Sequence, residues 1–409
     1  MDGDIFSSVR QTTFKYERIR SIGSGILESA VTTFILLIAI RVYSASGLYK
    51  GLLAGGASLG FLISPLVVHL AEVRKWKTSH GAAYFTLAGG FGFLIAAPPH
   101  SFLLFFLGSL LGLAASSAVV PLLTQMYQEN YPAAERGLLF SRTFMLRIGV
   151  AAFSSQLLGL VLVHPMGRSV YVLILFGAAC FLSAWCLLQC PSTVLHIPVQ
   201  NSFLKNFALL KTDPLFRITM ICWMFLGTGN LMMIPMRVEM LANPGHGIPL
   251  SVPEIAMLCG VIPNLARLLM SPLWGWLFDK MNFFRLRVIL NICFATGILA
   301  FFTSRSTSGL IIGALIFGVS TAGGDVAWSL WVTKFAPPER VAGYMSVHTF
   351  ATGVRGVVAP VLSYFLISFC SIQAIGLVSV CLIMIATVLL LMEIRKGYWS
   401  DSHASGLVN

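Results

Sequence analysis

Ser271-Pro272-Leu273-Trp274-Gly275-Trp276-Leu277-Phe278-Asp279-Lys280 decides how this chain is read, because an earlier stretch echoes it. Half a chain length upstream stands Ser64-Pro65-Leu66-Val67-Val68-His69-Leu70-Ala71-Glu72, with Ser-Pro-Leu, a Leu and a carboxylate in matching places. A second pair keeps nearly the same offset: Tyr131-Pro132-Ala133-Ala134-Glu135-Arg136 and Phe335-Ala336-Pro337-Pro338-Glu339-Arg340. Each is followed by Thr-Phe (Thr143-Phe144, Thr349-Phe350) and then by an Arg near a Gly (Arg147 and Gly149, Arg355 and Gly356). Arg41-Val42 and Arg237-Val238 form a third, weaker pair. Repetition at half length in an apolar chain predicts two like halves, each a bundle of membrane helices.

Hydrophobic residues make up 57% of the chain and charged residues 10%, where soluble domains carry roughly a quarter charged. So little charge cannot cover a surface in water, and lipid must solvate much of the protein. A net charge of +12 would suit nucleic acid, but the Lys and Arg fall in short clusters between apolar runs. That is the pattern of a membrane protein's inner face, and no nucleic-acid partner is expected. Most of the eight Cys lie inside apolar segments (Cys180, Cys186, Cys222, Cys259, Cys293, Cys381). Without metal-ligand spacing they read as small buried hydrophobes; neither metal nor cofactor is expected. No cleavable signal is read at the start, where a basic leader precedes a run long enough to span.

A spanning helix needs about 20 mostly apolar residues. Candidates lie near 21–41, 47–70, 80–97, 102–126, 138–163 and 169–190, then near 214–241, 251–278, 286–303, 308–333, 343–368 and 372–393. Matching loops must share a membrane face, which needs an even number of spans per half; at roughly 33 residues per span and loop that number is six. The expected fold is an all-α membrane protein with twelve transmembrane helices in two pseudo-symmetric six-helix bundles, 1–190 and 214–409. Between them, 191–213 is a linker in which Phe203, Leu204, Phe207 and Leu210, with Lys205 and Lys211, predict a short amphipathic helix on the membrane surface. Nineteen basic residues fall on the side of the termini and linker, against five opposite (Arg41, Lys50, Arg168, Arg237, Arg305). This bias places both termini in the cytoplasm, and the short loops point to a bacterial inner membrane.

Gly275, Asp279 and Lys280, with Arg285 and Arg287 after them, resemble the G-x-x-x-D-[RK] loop signature of the major facilitator superfamily. That signature lies between spans two and three and again between eight and nine. In the first half Val68 stands for the Gly, Glu72 for the Asp and Val73 for the basic residue, while Arg74, Lys75 and Lys77 keep the positive charge. With twelve spans in two repeats the resemblance covers nearly the whole chain. It implies halves related by an axis along the membrane normal and a substrate site near the bilayer midplane. Two departures argue against a drug–proton antiporter. Span four has no Arg, its longest polar side chain being Gln125, and span five lacks Pro between Gly149 and Gly159.

A carboxylate closing span two or span eight can accept hydrogen bonds from a neighbouring helix start or pair with an Arg, holding one face shut. Glu72 and Asp279 are therefore gating candidates, with Arg136 and Arg340 beside them; solvated loop charges are the plainer alternative. Charges within the spans are costly, by a few kcal/mol, and mark functional or pairing positions. Here they are Glu28, Arg147, Arg267, Asp325 and Arg355. Arg147 lies roughly 13 Å into its helix at 1.5 Å per residue, and Arg355 is similarly deep. The resemblance implies that the spans carrying all five border a central cavity. Polar stripes extend the picture: Ser24, Glu28 and Thr32; Gly260, Asn264, Arg267 and Ser271; Thr321, Asp325, Trp328 and Ser329; His348, Thr352 and Arg355. Lipid cannot satisfy such stripes, so they should face inward.

Three Arg against two carboxylates leave a positive surplus that an anionic substrate would complement. Arg147, Arg267, Arg355, Asn264, His348 and Trp328 are the substrate-binding candidates, and Glu28 and Asp325, which can take up a proton, the coupling candidates. Alternatively Arg147–Glu28 and Arg355–Asp325 are internal ion pairs, which leaves Arg267 the least compensated charge. Trp328 beside Asp325 would equally hold a sugar or an organic cation. The expected function is secondary active transport of a small polar, anionic metabolite, coupled to protons, by a monomer working through alternating access in the bilayer. A sugar, drug or amphiphile carrier and a transporter-like receptor stay open. No nucleotide-binding loop and no clustered catalytic set is present in the sequence, so no enzyme is expected.

Overall fold

Helix starts follow the punctuation of the sequence. Asp213 accepts a hydrogen bond from the Phe216 amide at 2.9 Å, with Pro214 in the first turn. Ser251 and Glu254 cap one another's backbone around Pro253, and Asn282 accepts from the Phe284 amide at 3.0 Å. These are the residue types that satisfy the free N–H groups of a first turn. Pro65, Pro235, Pro272 and Pro360 sit inside helices, where packed neighbours in a membrane can re-satisfy the freed backbone.

The structure, a computed structural model, describes residues 2–99, 101–132, 135–163, 165–194, 207–245, 248, 250–334, 336 and 341–395. Among them are twelve long helices. They are α1 Ser7–Arg41, α2 Gly56–Val73, α3 Thr78–Ala96, α4 Phe102–Asn130, α5 Arg136–Val161, α6 Arg168–Gln189, α7 Pro214–Ala242, α8 Val252–Lys280, α9 Phe283–Thr303, α10 Thr307–Leu330, α11 Tyr344–Leu366 and α12 Ile372–Arg395. No strand occurs among the described residues. All but α3 are long and apolar enough to cross a membrane; in α3 the polar start Thr78-Ser79-His80 and four glycines dilute the apolar content. The fold class is that of a multi-pass helical membrane protein, and side chains such as Leu269, Phe153 and Tyr171, 77%, 68% and 67% exposed, are what a lipid-facing surface presents.

The first helix extends well before residue 21, because the basic leader is itself helical. Its buried Glu17 holds Arg20 at 2.6 Å and accepts from Tyr127 of α4 at 2.6 Å. The second expected span divides at Gly55 into Gly47–Ala54 and α2. Phe203, Leu204 and Lys205 of the expected linker helix lie outside the described residues, while Leu209–Thr212 makes one helical turn.

Within the first six helices α3 packs on α4 and α6, α1 on α5 and α6, and α2 on α4. Within the last six, α10 packs on α8 and α9, and α12 on α7 and α9. Between the sets α5 meets α8, α2 meets α11, and α1 meets α7. Two widened turns, Ala30–Phe34 in α1 and Met257–Val261 in α8, touch each other across this boundary. Such π-turns inside α-helices often sit at functional sites.

Candidate functional site

Glu28 ends a regular stretch of α1 just before the Ala30–Phe34 π-turn. Its carboxylate collects cations from both sets of helices. Arg147 of α5 donates through Nε to Glu28 Oε2 at 2.5 Å, and Arg267 of α8 donates through Nη1 to Glu28 Oε1. Arg267 donates through Nε to Asp325 Oδ2 of α10 at 2.5 Å, with Asn264 Oδ1 3.5 Å from Nη1. Both guanidinium groups also lie over the Phe144 ring, at 5.5 and 5.2 Å. The cluster is charge-balanced, with two Arg and two carboxylates. Arg267 and Glu28 are each 9% exposed along their side chains, whereas Arg147 is 39% and Asp325 31% exposed. One end of each outer ion pair, Arg147–Glu28 and Arg267–Asp325, is thus open, while Arg267–Glu28 between them is closed.

The structure therefore divides the sequence-predicted set. Glu28, Arg147, Asn264, Arg267 and Asp325 come together; Arg355 and His348 do not join them. Of the two alternative ion pairs, Arg147–Glu28 forms, but the partner of Asp325 is Arg267. Arg267, expected to be the least compensated charge, is the most fully paired. Arg355 instead donates to the backbone oxygen of Trp223 in α7 and, at 3.0 Å, to Thr352. Its guanidinium fits because position 227 is Gly: a Cβ there would overlap the Arg355 side chain. His348 is fully buried against the rings of Trp223, Trp328 and Trp331. Trp328 links the regions, bonding Thr352 at 3.3 Å and stacking on Phe61 of α2 at 6.4 Å.

The gating candidates lie at the end of the molecule where α2 and α8 finish. Asp279 is exposed and Glu72 half-buried, and neither forms an ion pair among the described residues. Arg136 donates to the backbone oxygens of Gln128 and Tyr131 at 3.1 and 3.2 Å, Glu135 pairs with Arg10 at 2.8 Å, and Arg340 lies outside the described residues. At this end burial and, after it, the charge of Glu17 push the Tyr131 phenol well above its ordinary value.

At the opposite end a tight ionic contact joins the two sets, and sequence reasoning missed it. Lys50, before α2, meets Glu239 of α7 at 2.6 Å, the side chains being 7% and 0% exposed. Tyr364 of α11 donates to Glu239 at 3.0 Å, Asn243 donates at 2.7 Å, and Lys50 stands 4.8 Å over the Tyr364 ring. Arg41 reaches the Leu250 oxygen at 3.0 Å. A cavity of about 310 Å³ adjoins, lined by Arg41, Ser44, Lys50, Asn243 and their neighbours. Lys50 had served only as one of five basic residues on its side. The available signal was a charge pair, Lys50 and Glu239, at equivalent depth in spans two and seven.

Residues 240–406 match the family model of the Major Facilitator Superfamily. No curated protein matches the chain in sequence. Among solved structures it is similar to the nucleoside transporter NupG, with a TM-score of 0.72 and 14% identity over 95% of this chain and 100% of that one. A bacterial homolog to the human lysosomal transporter Spinster, inward-facing, gives 0.70 and 14% over 97% and 98%. A D-xylose-proton symporter gives 0.63 and 15% over 94% and 96%. At these identities the likeness is one of fold, and the fold is shared from end to end. Residues 240–406 thus carry the sequence pattern of the Major Facilitator Superfamily model, and the chain shares the fold of these transporters along nearly its whole length.

Proposed function

We propose that this protein is a secondary active transporter that moves a small polar metabolite bearing an acidic group, together with a proton, by alternating access. The observation that carries this is Arg267, held between carboxylates from the two sets of helices in a cluster whose outer members are partly exposed. A proton arriving at Asp325, the more exposed carboxylate, releases one edge of Arg267. A substrate carboxylate or phosphate then takes that edge in the same charge-assisted geometry. One anion replaces another, so binding and release stay near balance, as a carrier requires. Contacts worth roughly 1.5–3 kcal/mol each are exchanged rather than lost.

Residues 1–190 and 214–409, joined by 191–213, act as the two moving bodies, consistent with the packing inside each set of helices. The Lys50–Glu239 contact supports closure at its end, and the unpaired Glu72 and Asp279 support opening at the other, which the basic residues assign to the cytoplasm. Both termini then lie in the cytoplasm, in a bacterial inner membrane. Glu72, Asp279, Arg136 and Arg340 are the proposed partners when that face closes.

Proteoliposome counterflow with carboxylates, phosphate esters, sugars, nucleosides and organic cations, at imposed pH gradients, tests this. Asp325→Asn is expected to retain exchange of an acidic substrate while losing its pH-driven accumulation. Acid uptake indifferent to a pH gradient and to Arg267→Ala would sink the proposal. Trp328 and Phe61, stacked across the two sets, favour a second substrate class, a sugar or nucleoside like those named for the structural neighbours. Uptake abolished by Trp328→Ala but preserved in Arg267→Ala would select it.

A further inference from the structure

Away from the central cluster, the last six helices enclose a second cationic group that forms no ion pair among the described residues. Arg287, in the first turns of α9, is 3% exposed, and its Nε and Nη1 have no hydrogen-bond partner among the described residues. Its guanidinium lies 4.2 Å over the ring of Trp223. Arg355, 4% exposed, lies 5.5 Å from the same ring and leaves its Nε without a partner. His348, 5.0 Å from that ring, leaves both nitrogens without one. The carboxylates of the central cluster are engaged with Arg147 and Arg267, and Glu393, near the end of α12, has a contact of its own. Two buried guanidinium groups on one indole, neither in an ion pair among the described residues, are an arrangement that proteins keep only when something offsets the charge.

A cavity of about 10 Å³ opens against Arg287, walled by Thr219, Cys222, Trp223, Phe283 and Leu390. That is room for a single small occupant. A bound water needs acceptors as well as donors. Arg287 offers only donors; the Thr219 oxygen, whose hydrogen goes to the Leu215 oxygen at 2.8 Å, can accept from a water, but a neutral water leaves both guanidinium charges without an offset. We infer that this cavity holds a small monovalent inorganic anion of halide size, bound by Arg287 against Trp223 and stabilised by the nearby Arg355. A carboxylate metabolite is too large for the space. The site lies wholly within the last six helices, so it is a resident ion site and stands whether or not the proposed substrate is right.

The test uses the purified full-length protein in detergent, with thermal unfolding followed in potassium chloride or bromide against potassium gluconate at equal ionic strength. The expected result is a saturable rise in Tm with halide, about 3 °C at a hundredfold excess over the dissociation constant. Arg287→Met should remove the dependence on the anion. Identical Tm values in all three salts, or a halide response kept in Arg287→Met, overturn the inference. If that variant does not fold, wild-type crystals grown in bromide decide the matter. An anomalous peak beside Arg287 supports the site, and a peak confined elsewhere, or none, overturns it.

Discussion

Two buried ionic contacts tie the first six helices to the last six, and they differ in one property. Both are charge-balanced and both use short, charge-assisted hydrogen bonds. At mid-depth Arg267 joins Glu28 to Asp325, and the outer members Arg147 and Asp325 are about a third exposed. At the far end Lys50 and Glu239 are sealed, with Tyr364 and Asn243 completing the carboxylate's hydrogen bonds. The outer members of one contact are far more exposed than either member of the other. An ion pair that water can reach can trade partners with a solute or a proton; a sealed pair can only be whole or broken. Under the proposed function, chemistry of the same kind serves exchange in one place and closure in the other.

Removing the hub of the exposed contact should have the largest effect. Arg267→Met takes away two charge-assisted contacts at roughly 1.5–3 kcal/mol each and strands two carboxylates. Counterflow of the transported solute should fall by about 100-fold or more, with Arg267→Lys intermediate because a point charge cannot span both acids. Uptake within a few fold of wild type would place the substrate site elsewhere.

The sealed contact should answer to stability more than to chemistry. Glu239→Gln leaves Lys50 as a buried, uncompensated cation, which costs about 3–5 kcal/mol. Lys50→Met with Glu239→Gln removes both charges and should recover most of that loss. Thermal unfolding of the two single variants and the double variant measures the coupling. Additive losses in the double variant would mean that the pair is solvated in solution and no different in kind from the central cluster.

The membrane class was legible because apolar runs of spanning length are a composition signal. The interior charges were equally legible, since a lone Arg or Glu among leucines stands out. Their partners were not. Pairing depends on which way each helix is rotated, and Asp325 had two Arg within plausible reach; packing of α8 on α10 gave it Arg267, while Gly227 opened a groove that drew Arg355 to α7. Lys50 and Glu239 escaped notice because each sits near the end of an apolar run, where a charge ordinarily means only an interface. Helix α3 carries the weakest span signal of the twelve, because its glycines and polar start leave it less apolar than its neighbours.

The smallest expected effects lie on a single helix and separate the two contacts again. Gly149 and Gly159 are ten residues apart on α5. A Cβ at Gly149, close to Arg147, would meet nothing within 4 Å, while one at Gly159 would fall 2.6 Å from the Ala256 Cβ at the start of α8. Gly149→Ala should therefore stabilise the helix by about 0.5–1 kcal/mol through reduced backbone freedom. Gly159→Ala should destabilise by about 1–3 kcal/mol, because two helix backbones must part to admit it. Opposite signs of the Tm change in these two variants are the expected outcome. If both variants are stabilised, α5 and α8 stand apart at the far end as well, and the closure attributed to Lys50 and Glu239 is not supported by the helices beside it.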